Sequence, residues 1–109
     1  MRIWLVGADQ LGTEVLRQLK KSRVIEFVVS DESERPRAVI ERVIAKVDLV
    51  ERVTAVNINQ LAVKIRPDII MIDSGAAKRA MSSVAGGQVF AEALAAEISA
   101  AADLPCILL

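Results

Sequence analysis

One stretch leaves this chain few folds to choose from: RIWLVGADQLG, Arg2 to Gly12. An apolar run of Ile3, Trp4, Leu5 and Val6 meets Gly7. Five residues later Gly12 stands inside a segment with helical spacing. A short apolar run that stops at glycine reads as a buried strand leaving through a sharp turn, because glycine adopts backbone angles closed to other residues. A helix opening on that turn has to fold back over the sheet. The stretch therefore predicts the first half of a βαβ unit.

The same alternation continues along the chain. The first helix is expected from about Gln10 to Lys21, with Leu11, Val15, Leu16 and Leu19 on one stripe and Lys20, Lys21 and Arg23 at its negative end. Val24 to Ser30 reads as the second strand. A polar loop, DESERP, places Pro36 to start a second helix running to about Val47. A third strand is expected at about Arg52 to Val56. Asn57 or Asn59 is suited to cap a third helix carrying Ile58, Leu61, Ala62 and Ile65. Arg66-Pro67 ends that helix, since the residue before proline avoids the helical region. Ile69 to Ile72 is continuously apolar, as a central strand covered on both faces should be. After the loop Asp73-Ser74-Gly75, a helical stretch from Ala76 to about Val84 meets a break at Gly86-Gly87. The last helix is expected from Gln88 to about Ala102, and the last strand from Pro105 to Leu109. Strands alternating with crossover helices predict one α/β domain over residues 1–109, a doubly wound five-stranded parallel sheet. A switch point after the first strand gives the order 3-2-1-4-5.

Composition removes several functions. Apolar residues make up 53% of the 109, so a disordered chain is not expected. Net charge is zero, so no overall field draws in nucleic acid or an anionic membrane. Lys and Arg all lie at or before Arg79, and residues 80–109 carry only Glu92, Glu97 and Asp103. No apolar run approaches the length of a membrane span. The lone cysteine, Cys106, rules out an intrachain disulfide and fits a reducing, cytoplasmic setting. Histidine and tyrosine are absent, which removes the commonest general base and zinc ligand. No metal site and no catalytic residue is expected, and Cys106 reads as a buried strand residue.

The glycine turn carries the one chemical motif. Gly7 permits the sharp exit and Gly12 permits close packing of the helix. The backbone N–H groups between them, aided by the helix dipole, make a site for a phosphate. Asp31 lies 24 residues after Gly7 (31 minus 7), beside the end of the second strand. A carboxylate there accepts both hydroxyls of a ribose. On these residues the chain resembles Rossmann NAD-binding domains, most closely the nucleotide-binding domain of Trk-type potassium-uptake regulators and related dehydrogenases. Many of those read G-A-G-Q-L-G where this chain reads Gly7-Ala8-Asp9-Gln10-Leu11-Gly12. The segment Ile65 to Gly75, IRPDIIMIDSG, is similar to the fourth-strand region of small NAD-dependent oxidoreductases. The resemblance implies NAD(H) as ligand. It places Gly7, Ala8, Asp9, Gln10, Leu11 and Gly12 at the pyrophosphate, Asp31 at the adenine ribose, and Ser74 and Gly75 near the distal half. It implies a regulatory module, or the cofactor domain of a larger oxidoreductase, since no substrate domain follows Leu109.

Asp9 departs from the pattern. It stands where the family has glycine, adding bulk and negative charge beside a pyrophosphate. A second reading makes Asp9 the cap of its own helix, occupying the anion site itself. RPDIIMID also resembles response-regulator receivers, whose phosphorylated aspartate, with Mg²⁺, ends a similar strand. Such receivers usually carry two acids after the first strand and a lysine after the fifth. Here only Asp9 follows the first strand. Lys78 and Arg79 are either phosphate ligands or part of a solvated helical face. The last helix has a narrow polar stripe of Gln88, Glu92, Ser99 and Asp103 opposite Phe90, Leu94, Ile98 and Ala101. With an apolar final strand beside it, this predicts a homodimer formed through that helix. A non-binding interaction domain is thus the alternative to a nucleotide binder.

Overall fold

Trp4 and Leu5 are both fully buried. Consecutive strand residues face opposite sides of a sheet, so the first strand is covered on both faces. The computed structural model describes residues 1–75 and 87–109, and for residues 87–90 the backbone alone. Its elements are β1 (Arg2–Val6), α1 (Gln10–Leu19), β2 (Glu26–Asp31), α2 (Arg37–Ile40), β3 (Leu49–Val50), α3 (Ile58–Ile65), β4 (Ile69–Ile72), α4 (Gly87–Ala101) and β5 (Cys106–Leu108). All strand pairings are parallel, and the order is β3-β2-β1-β4-β5. The sheet is the one expected from the sequence. β1 lies at its centre, with Leu5 in register between Val29 and Met71.

The two faces have separate cores. Leu5, Ala8, Leu16, Val29 and Ala38 form one, beneath α1 and α2. Trp4, Val53, Ile58, Ala62, Ile70, Ile72 and Ala95 form the other, beneath α3 and α4. The chain winds over one face from β1 to β3 and over the opposite face from β3 to β5. The reversal opens a crevice between the carboxyl ends of β1 and β4.

Local readings differ in four places. Leu11, expected in the buried stripe, is 53% exposed, while Gly12, Thr13 and Leu16 face the sheet. Close approach at Gly12 rotates the helix so that its smallest residue meets the strand. The second helix is four residues long, not a run to Val47. Arg42 takes a left-handed conformation (φ 59°), and the N–H groups of Val43 and Ile44 both turn back to the Ala38 carbonyl. Val43, Ile44 and Val47 still reach the core, so turns rather than a helix satisfy their apolar spacing.

The third strand lies at Leu49–Val50, with residues 51–56 a loop. Asp48 fixes that register. Its carboxylate accepts the Val29 N–H at 2.8 Å, and its own N–H donates to the Val29 carbonyl at 2.9 Å. β2 begins at Glu26, leaving Val24 exposed, and includes Asp31. Asn57 holds the N-cap position of α3 but its side chain bonds Thr54 and Arg52 rather than the helix, and Asn59 bridges to the end of α4, so neither caps α3 through its side chain. The helical stretch expected from Ala76 to Val84 lies outside the described residues, as do Lys78, Arg79 and Gly86 of the glycine break. Gly87 is the first residue of α4.

Candidate functional site

The carboxyl ends of β1, β2 and β4 converge on the turn at Gly7. That residue leaves β1 with φ 87°, a left-handed angle that glycine adopts without strain, and its N–H donates to the Ser30 carbonyl at 2.7 Å. Helix α1 opens three residues on and presents the unsatisfied N–H groups of any helix start.

Asp73, the residue after β4, fills that position. Its Oδ2 accepts the N–H of Asp9 at 3.0 Å and of Gly12 at 2.7 Å. Its Oδ1 accepts the N–H of Gly75 at 2.9 Å. The Asp73 N–H donates to the Val6 carbonyl, which locks the backbone beside β1. Only 3% of the residue is exposed. The carboxylate sits where a helix start binds an anion.

This corrects the reading of Asp9 as its own cap. Asp9 stands at the N-cap of α1, yet its side chain makes no capping hydrogen bond to the helix. The physical reason is competition: Asp73 reaches the helix start from the end of β4 and takes the N–H groups of Asp9 and Gly12, while the Gly75 N–H of its own loop holds its other oxygen. Space is tight around it. A Cβ on Gly12 would lie 2.7 Å from the Gly7 carbonyl oxygen and 2.9 Å from Asp73 Oδ2. One on Gly75 would lie 2.9 Å from Asp9 Oδ2 and 3.0 Å from Asp73 Oδ1.

Asp31 is enclosed in the same way. Its Oδ2 accepts the Ala8 N–H and its Oδ1 the Ser33 N–H, both at 2.9 Å, and the residue is 3% exposed. Gly7, Ala8, Asp9, Gly12, Asp31, Ser74 and Gly75 are therefore brought together as the sequence suggested. Gln10 and Leu11 lie exposed on the first turn of α1. The Asp31 and Asp73 carboxylates are both engaged with the backbone of the fold.

The open space lies beside them, on the face of α3 and α4. A cleft of about 410 Å³ is lined by residues 6–7, 30–32, 51–56 and 72–74, and by Ala91, Leu94, Ala95, Glu97 and Ile98 of α4. The loop at 51–56 was missed as a site element because it read as a strand. Its signal was Thr54 three residues before Asn57. The Thr54 hydroxyl accepts the N–H groups of Val56 and Asn57, and Asn57 Oδ1 accepts the Thr54 N–H at 2.7 Å. Such reciprocal bonds make a turn at a helix start.

The charged residues of the lining are mostly acids: Asp31, Glu32, Glu51, Asp73 and Glu97. Arg52 is the one basic residue among the described lining, and its Nε pairs with Glu32 Oε1 at 3.4 Å. Among the described residues no group of three or more Cys, Asp or Glu is placed to hold a metal ion. Cys106 lies half-buried on β5; burial pushes its thiol up from the ordinary range, opposed in part by a hydrogen bond with Ser99. No family model, curated protein or solved structure matches the chain.

Proposed function

We propose that this chain is a small-molecule-binding module of nucleotide-derived build. Its ligand occupies the cleft beside α4, and its glycine turn holds no phosphate. The observation that carries this reading is the Asp73 carboxylate on the N–H groups of Asp9 and Gly12. A dinucleotide would have to displace it. The displaced carboxylate would then stay beside two phosphates in a poorly hydrated crevice. Like charges at ~4 Å repel by ~4 kcal/mol at an effective dielectric of ~20, which offsets much of what a helix start offers an anion. NAD(H), the ligand the motif suggests, is therefore disfavoured at the turn. The cleft keeps the features of a ligand site, apolar walls with a few polar groups, at the sheet edge where α/β folds bind ligands.

The receiver-like alternative is weaker. Receivers have the strand order 2-1-3-4-5, and Asp73 is too enclosed to accept a phosphoryl group.

Amide NMR tests the proposal directly. Adenosine is expected to move the resonances of Thr54, Ser74 and Leu94, and NAD(H) to leave Ala8 to Gly12 unchanged. Strong shifts confined to Ala8–Gly12, or none with any nucleoside or nucleotide, would overturn it.

A second reading concerns association. β5 is an edge strand with Ile107 45% and Leu108 47% exposed. α4, which packs on β5, presents Ala93, Ala96 and Ala100 outward. A second copy of the chain, related by a two-fold axis, would cover both features. Among the described residues no helix is long and apolar enough to cross a membrane.

A further inference from the structure

We infer that the cleft beside α4 selects an organic cation with a flat apolar body, and excludes anions. The inference rests on the reading of that cleft as the ligand site.

Charge gives the sign. Glu51 and Glu97 stand on opposite walls, one on the loop after β3 and one on α4, and both are exposed. Asp31 and Asp73 lie deeper. The single arginine of the described lining is paired with Glu32, which leaves the negative groups in excess among the described lining residues. An apolar-walled recess focuses such a field toward its mouth.

Ser74 independently indicates a ligand. It is 8% exposed and lines the cleft, yet its hydroxyl has no hydrogen-bond partner among the described residues. No fully enclosed side-chain oxygen or nitrogen among the described residues lacks a partner, so the Ser74 oxygen reaches open space, and Ser74 is a lining residue of the cleft. Hydroxyl groups this deep are ordinarily hydrogen-bonded, and a donor on the ligand would complete the bond.

Apolar surface gives the shape. Val53 and Ile72 on one side and Leu94 and Ile98 on the other bound a space of about 410 Å³. Ligand pockets run from ~300 to ~1,000 Å³, so this one suits a single ring system with a short tail. The ring would lie between the aliphatic walls, with the cationic end toward Glu51 and Glu97.

Tryptamine, tryptophol and indole-3-acetate share one ring and differ in charge, which separates sign from shape. Isothermal titration at two salt concentrations, with amide NMR to locate each probe, tests the inference. Tryptamine is expected to bind in the cleft about tenfold more tightly than tryptophol, with the gap closing as salt rises. Indole-3-acetate is expected not to bind. In Glu51→Gln and Glu97→Gln, both at exposed positions, tryptamine should weaken several-fold while tryptophol is unchanged. In Ser74→Ala both should weaken. Equal or tighter binding of tryptophol or indole-3-acetate in the cleft overturns the charge inference and leaves the cleft as a ligand site. Absence of all three probes from the cleft overturns both.

Discussion

A methyl group at Gly12 would meet the Gly7 carbonyl oxygen, which is backbone and cannot step aside. Gly12→Ala would gain ~1 kcal/mol of helix propensity but force apart β1, α1 and Asp73. It is expected to lower the unfolding free energy in urea by a net ~1–3 kcal/mol, the usual cost of overpacking. Asp73 sets the other residue-level outcome. In Asp73→Ser the charge is gone and the N–H groups of Asp9 and Gly12 are released. Calorimetry should then detect NAD(H) binding that the unchanged chain lacks. Asp9→Gly leaves Asp73 in place, so it should gain none; a gain in Asp9→Gly alone would mean that Asp9, not Asp73, blocks the turn. Cys106 gives a pH-dependent test. Burial raises its thiol, so at pH 8 less of it is thiolate than in a free cysteine. Alkylation by iodoacetamide should be slow in the folded chain at pH 8 and accelerate on unfolding in urea. A folded-state rate equal to that of free cysteine would contradict the burial.

At the scale of elements, Asn59 is the tie between the two helices on the cleft face. Its Nδ2–H donates to the Ala101 carbonyl and its Oδ1 accepts the Asp103 N–H, both at 2.9 Å. Asn59→Ala should cost ~1–3 kcal/mol, two ordinary hydrogen bonds, and raise amide exchange at the end of α4 more than in β1. Uniform loosening would show that the contact is not local. The same residue marks the limit of what could be read in the sequence. Asn at a helix start suggests a cap, and Asn57 takes that position, but no local pattern announces a bond across 42 residues. The strands β1 and β4 were legible because continuous apolar runs have few alternatives. The second helix was not. Its apolar spacing fitted a helix, and the left-handed turn at Arg42 carries no glycine to announce it. β3 was displaced for a similar reason: the register depends on Asp48 bonding to Val29, a tertiary contact. At the site, the glycines and Asp31 were legible as a group. The identity of the capping carboxylate was not, because Asp9 is adjacent in sequence and Asp73 is adjacent only in space.

For the molecule as a whole, the sheet ends at β5 with apolar side chains facing outward. Light scattering at high micromolar concentration is expected to give twice the chain mass of 11.8 kDa. Ala96→Lys and Ile107→Lys, both at exposed positions, should return the monomer. A monomer in the unchanged chain would remove the two-fold pairing. The bond from Gly12 to Asp73 also bears on how the fold is reached, because it closes a loop of 61 residues. During synthesis at ~5–20 residues per second, the first helix waits several seconds for the residue that finishes it. Until then β1 lacks its neighbour on one side, and α1 starts with bare N–H groups. The leading half of the chain is thus a poor folding unit by itself. The rate-limiting step should be the docking of β4 onto β1, the kind of distant pairing that slows folding far more than helix growth does.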